Sequence, residues 1–366
     1  MSSNFKISLF LIAVACFSSC RNEDENSDPA PNFCTNSADS RLTDIRDITI
    51  LPAYEEVLTQ LAELNTAFSA FSANTSEANL ENVQSSLKIA WMSWQKASPF
   101  NFGPALDNEL KANVNTFPVD SFTVLQRVMN EDYTLIANPT KGFPAVDLLV
   151  NGIAGNNTDI TALYSGADGS KFKTYLEAVI NDVSDRIMIV KSEWEGQYGE
   201  CFPKNTGFAT GSSFSLFIND YVKDWEEIKR GRIALPLGLL TFLTPLPDRV
   251  ECYYGEYSQE LALEHTQSHY NIYLSDSYSG IQELVQDVTE FIGEDGQTLD
   301  EAIVAQFELA ILKLSEVPDP LSETILDDFD TVNEAYLALQ DMVVLLKTDM
   351  TSGLNILINY SDVDGD

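Results

Sequence analysis

Histidine is nearly absent from this 366-residue chain: there are two, His265 and His269. Imidazole is the usual general base at neutral pH, so a Ser-His-Asp relay would have only these two to draw on. Basic residues are scarce as well, with 21 Lys and Arg against 56 Asp and Glu, a formal net charge of −35. Nucleic-acid binding rests on neutralising phosphates with Lys and Arg, so no nucleic-acid partner is expected. The same field favours cationic partners, metal ions among them. Neither Cys-x-x-Cys nor a Cys/His spacing suited to zinc occurs. What remains is an ordinary globular composition, 44% hydrophobic, in a chain long enough for two domains.

The N-terminus reads as an address. An apolar run from Ile7 to Phe17 follows Lys6. It is shorter than the roughly 20 residues that span a bilayer, and nothing later in the chain is long enough either. The run fits a secretory h-region. Ser18-Ser19-Cys20 resembles the end of a bacterial lipoprotein signal, with cleavage before Cys20 and lipid on its thiol; the alternative is a plain signal peptide. Residues 1–19 are then the signal, and the protein is anchored to the membrane through Cys20 rather than spanning it. Residues 20–40 form an acidic tether stiffened by Pro29 and Pro31. Its Glu23-Asp24-Glu25 run resembles the surface-export signal of Bacteroidetes lipoproteins, or is a solvated linker facing the periplasm. The expected location is the bacterial cell envelope, as an outer-membrane lipoprotein on either face.

Cys34, Cys201 and Cys252 remain after Cys16 leaves with the signal and Cys20 is lipidated. Outside the cytoplasm thiols tend to pair. Cys201 with Cys252 is the expected disulfide, because both sit in Tyr- and Gly-containing connections between helical segments. It would contribute about 3–4 kcal/mol by loop entropy and leave Cys34 over.

Helical periodicity dominates the rest, and the fold class is all-α. Phe172, Tyr175, Val179, Val183, Ile187, Val190 and Trp194 step by three or four. Leu51 to Phe71 and Val332 to Leu346 repeat the pattern, and Thr298-Leu-Asp-Glu301 is a capping box. Ile356 to Asn359 is the best candidate strand. Gly152 to Gly169 reads as a long loop. Gly196 to Gly211 reads as a seam, dividing an N-terminal bundle at 41–204 from a C-terminal bundle at 205–366.

Several phrases resemble the imelysin family of bacterial envelope proteins. They are Trp91-Met-Ser-Trp94 leading to Phe100-Asn-Phe-Gly-Pro104, then Asn115-Thr-Phe-Pro-Val-Asp120, Lys141 to Val150, Pro236-Leu-Gly238, Val250-Glu-Cys252 and Tyr257-Ser258. The terminal Tyr360 to Asp366 resembles the ending of some Bacteroidetes members. The resemblance covers residues 44–366. It implies two helical bundles packed side by side with a cleft between them. It also implies an association with peptidase activity and with iron or metal acquisition, and so a divalent or ferric metal ion as the candidate cofactor and an envelope uptake partner. The family's G-x-H-x-x-E signature, however, reads Gly142, Pro144 and Asp147 here. Proline has no ligand atom, so the metal pair is reduced to one carboxylate. Pro144 suits the first turn of a helix, where Asp147 would meet the positive end of the dipole.

His265 and His269 are the other metal candidates, spaced i, i+4 as in H-E-x-x-H but with Thr266 where that motif has its glutamate. Glu260 and Glu264 lie near enough to add oxygens, yet a pair of surface helix histidines is the simpler expectation. Asp362, Asp364 and Asp366 alternate like the start of a calcium loop, without the distal Glu it needs. Ser212 or Ser213 reads as a helix cap rather than a nucleophile. A ligand site in the cleft is expected from Asp147 as the anion, Trp91 and Phe102 as walls, and Arg249 with Glu251 as a facing polar pair. The functional expectation is a non-catalytic, lipid-anchored binding protein for a cation, a metal complex or a small polymer. Its rival is a metal-dependent peptidase.

Overall fold

The computed structural model describes residues 33–274, 280–287 and 296–360, and these are helices and turns with no strand among them. Cys20, the Glu23–Glu25 run and Asp362, Asp364 and Asp366 lie outside the described residues. Helix α1 (Leu51–Ala73) opens with Pro52 in its first turn and buries Tyr54, Val57, Leu61, Leu64, Phe68 and Phe71. Ser76 caps α2 (Glu77–Ala97) by accepting from Asn79 N, and the short link makes α1 and α2 an antiparallel hairpin. A short α3 (Leu110–Val114) and α4 (Phe143–Asp147) follow. The expected loop after Gly152 holds α5 (Asn157–Ser165), because the Asn156 side chain accepts from Asp159 N and starts a helix. Helix α6 (Gly169–Glu195) has the apolar stripe expected of it and packs along α1.

Ser212 caps α7 (Ser213–Glu227) by accepting from Ser215 N. This helix is buried on nearly every side, and its interior includes Asp220, Asp224 and Glu226. Helix α8 (Ser258–Leu274) packs on α2 and on α9 (Leu299–Ser315), which in turn packs on α10 (Phe329–Val343). Thr298 and Glu301 form the complete capping box of α9. One hydrophobic cluster runs through all of these helices.

Four π-helical segments break the regular rise: Ile45–Ile50, Leu148–Gly152, Ile228–Ala234 and Val344–Met350. Two sequence expectations are corrected. Ile356 to Asn359 is irregular, because the amide side chain of Asn219, not a neighbouring strand, bonds Leu357 O and Asn359 N. The disulfide joins Cys34 to Cys201, with the two Cα atoms 4.5 Å apart, and not Cys201 to Cys252. The turn Phe33–Thr35 lies against Gln197–Cys201 and Phe202–Lys204, whereas Cys252 is a buried thiol beside Gly255.

Candidate functional site

Several buried charges gather where α2, α3, α7 and α8 meet. Glu251, on the connection before α8, is the first hub. Its Oε1 accepts from Asn115 Nδ2 at 2.7 Å and from Gln95 Nε2 at 3.0 Å. Asn115 is held in turn by Trp91, whose indole N–H donates to its Oδ1 at 3.0 Å. The other Glu251 oxygen pairs with Arg232, and both side chains are buried. Arg232 reaches inward from the π segment Ile228–Ala234 and lies over the Phe117 ring.

Two cavities adjoin this pair. The larger is a cleft of about 720 Å³ whose lining includes Lys111, Glu227, Arg230, Arg232 and Arg249. The smaller, about 200 Å³, is lined by Pro144, Asp147, Glu251, Tyr253 and Tyr254 among others. Asp147 and Glu251 are thus brought to one cavity. Arg249 lies on the larger cleft instead, half-exposed and 3.8 Å from Asp248. The expected Arg249–Glu251 pair is therefore corrected: Arg232 takes the partner role, because Arg249 sits on an exposed turn while the π segment turns Arg232 inward. Trp91 stacks on Phe143 with ring centroids 5.6 Å apart, and acts on the site through Asn115 rather than as a wall. Phe102 packs among Trp194, Phe202 and Phe217 and lines neither cavity.

Asp147 is buried at the end of α4, with Pro144 in the first turn as expected. Gly142 precedes that turn at φ +77°, where a Cβ would lie 2.3 Å from Val114 O, so only glycine fits. Asp147 Oδ1 accepts from Asn151 Nδ2 at 2.8 Å, and Oδ2 accepts from Tyr254 N at 3.0 Å. Burial pushes its carboxyl up to about 6, with the Asn151, Tyr254 and Cys252 donors opposing part of that rise. The residues here do not fit the metal that the G-x-H-x-x-E signature implies. Pro144 offers no ligand, and both oxygens of Asp147 are engaged by protein donors.

A second group was visible in the sequence only through His265 and His269, not through the residues that meet them. Asp224 of α7 contacts Lys111 of α3 through Oδ1, and its Oδ2 lies 2.5 Å from His265 Nε2 and 3.4 Å from His269 Nε2. Lys111 also contacts Glu227. Far from being surface residues, both histidines are fully buried on α8. Burial would raise the Asp224 carboxyl, but the hydrogen bond with His265 and the Lys111 ammonium outweigh it and hold it well below the usual range. Burial lowers both imidazoles, His265 to about 3 and His269 in the same direction. Asp220, one turn before Asp224, is pushed well up by burial and by its neighbour's charge, and accepts from Asn101 N at 2.5 Å. The signal that could have found Asp224 is its i, i+4 spacing from Asp220, with Phe217, Tyr221 and Trp225 stepping alongside.

The family model described as imelysin matches residues 50–348. Iron-regulated protein A from Synechococcus elongatus is 20% identical over 289 residues, covering 76% of this chain and 76% of that protein. Among solved structures, a candidate iron-regulated protein A precursor from Parabacteroides distasonis superposes with a TM-score of 0.72 at 17% identity, covering 90% of this chain and 97% of the other. An imelysin-like protein from Psychrobacter arcticum gives 0.70 at 14% identity, covering 88% and 96%. At these identities the structural matches establish a shared all-α fold.

Proposed function

The chain belongs to the imelysin family, and from that premise we propose a non-catalytic binding protein of the bacterial envelope that holds an anionic metal complex in the larger cleft. The observation that carries this reading is the lining charge. Lys111, Arg230, Arg232 and Arg249 face one cleft with Glu227. That places four of 21 basic residues in one cavity of a protein whose net charge is −35. Lys111 is paired with Asp224 and Glu227 and Arg232 with Glu251, yet basic side chains outnumber carboxylates in the lining, and such an excess of one sign concentrates ligands of the other. A bare cation would be repelled there, whereas a metal wrapped in carboxylates would be attracted. The volume, about 720 Å³, suits such a small molecule. The family's metal-dependent peptidase reading is less well supported, because its signature metal pair cannot be assembled from Pro144 and Asp147.

Iron enters through the names of two relatives, which makes a ferric tricarboxylate chelate the natural probe. Titration calorimetry with ferric citrate should give saturable binding. Arg249→Ala should weaken it by about tenfold, the scale of one charge-assisted hydrogen bond. Absence of binding, or affinity unchanged in Arg249→Ala and Arg230→Ala alike, would overturn the reading. The membrane partnership through Cys20 belongs to the same proposal and predicts that the protein fractionates with membranes.

A further inference from the structure

We propose that Asp224, His265 and His269 form a binding site for a divalent first-row transition metal ion, separate from the ligand cleft. Each of the three offers one ligand atom, and these atoms lie within 4.8 Å of one another. All three residues are buried, and two rigid helices present them, with the histidines one turn apart on α8 facing Asp224 on α7. A tetrahedral ion with bonds of about 2.0–2.1 Å holds its ligand atoms roughly 3.4 Å apart. From Asp224 Oδ2 the separation to His269 Nε2, 3.4 Å, matches that value, while the 2.5 Å contact with His265 Nε2 would have to open by about 0.9 Å to admit an ion. Only small side-chain adjustments separate the group from a coordination shell.

The second observation is the orientation of His269. Its Nδ1 lies 3.2 Å from His265 O, a backbone carbonyl that can only accept, so Nδ1 carries the hydrogen. Nε2 is then a bare lone pair, fully buried and without a hydrogen-bond partner. It faces a carboxylate oxygen, which is also an acceptor. Two acceptors facing each other inside a protein need a cation between them, and a metal ion with its ligand imidazole anchored through Nδ1 is the usual such arrangement. Lys111 holds the other oxygen of Asp224, which orients the carboxylate in the way outer partners orient metal ligands. Asp224 and Glu227 against Lys111 leave one negative charge to receive the ion. Two imidazoles and one carboxylate select zinc, cobalt or ferrous iron over calcium or magnesium, which prefer all-oxygen shells.

The test uses the mature chain stripped with a chelator and free of citrate, so that the cleft is not probed. Co²⁺ added to wild type should give d–d absorption of a nitrogen- and oxygen-ligated ion, saturating at about one equivalent, and Zn²⁺ should displace it. His269→Gln and His265→Gln should each lower affinity at least about 100-fold, while Arg186→Ala, at an ion pair on α6 remote from both sites, leaves stoichiometry unchanged. A wild-type protein that takes up no stoichiometric Co²⁺ or Zn²⁺ would overturn the proposal, and the cation between the acceptors would then be a proton. Binding that persists in both histidine variants would also overturn it. The wild-type spectrum needs no variant to fold, and failure of this site leaves the ferric citrate titration to be judged on its own.

Discussion

Asp147→Asn tests whether burial controls the smaller cavity. The Asp147 carboxyl rises from its ordinary value of 3.8 to about 6, chiefly because it is buried. Each pH unit of such a shift is about 1.36 kcal/mol, so ionising Asp147 in the folded chain costs about 3 kcal/mol at pH 8. The folded state holds a proton that the unfolded state releases. The associated stability is therefore present below about pH 4 and lost as pH rises through about 6. Asparagine has no proton to lose. It keeps one oxygen for Tyr254 N, and the Asn151 amide can rotate to face the new NH₂ group. Urea unfolding should find the variant more stable than wild type by about 1–3 kcal/mol near pH 8, and equal within about 1 kcal/mol near pH 4. A variant that loses stability at pH 8, or keeps the wild-type slope between pH 4 and 6, would refute the argument. Asp147 would then be an anion that its donors hold ionised.

Glu251→Ala leaves Arg232 buried without its counter-charge and frees two amide donors, so a loss of about 3–5 kcal/mol is expected by denaturant titration. Replacing Cys34 and Cys201 together by Ser should lower the unfolding temperature, since the bridge closes 167 residues and is worth up to about 5 kcal/mol by loop entropy. Non-reducing peptide mapping should recover Cys34 joined to Cys201, with Cys252 alkylated only after unfolding. Cys20→Ser should move the protein from the membrane fraction to the soluble envelope, and a variant that still pellets with membranes would defeat the anchor.

The helical class was legible because long amphipathic stripes and caps are local signals. The α6 stripe, the Thr298–Glu301 box and the Ser212 cap all depend on residues within a few positions of one another. The gathering of Asp147 and Glu251 at one cavity was approachable only through family-like phrases, since 104 positions separate them. Lys111, Asp224 and Arg232 were not legible. In sequence a buried charge looks like a surface charge, and its partner lies on another helix. The inward position of His265 and His269 was legible, since Glu260, Glu264, Gln267 and Asn271 step along the other side of α8 and leave the histidines facing the core; imidazole polarity alone is a poor guide to exposure. The disulfide was not legible because lying in a Tyr- and Gly-containing connection does not tell Cys252 from Cys34 as a partner, whereas the fold brings Phe33–Thr35 back to residue 201.

The π segments carry a consequence for how this site could arise or vanish. A π turn takes in one residue more than an α turn, so everything after it is rotated by roughly 100° from an unbroken helix. Arg230 and Arg232 lie within Ile228–Ala234, and Leu148–Gly152 begins directly after Asp147. Gly231 has open space around it and no packing reason to stay. Deleting that one codon would let the segment wind as α-helix and carry Arg232 away from Glu251, with the preceding helix intact. The Arg232–Glu251 contact can thus be made or lost by a single-residue insertion or deletion, without any substitution at either residue.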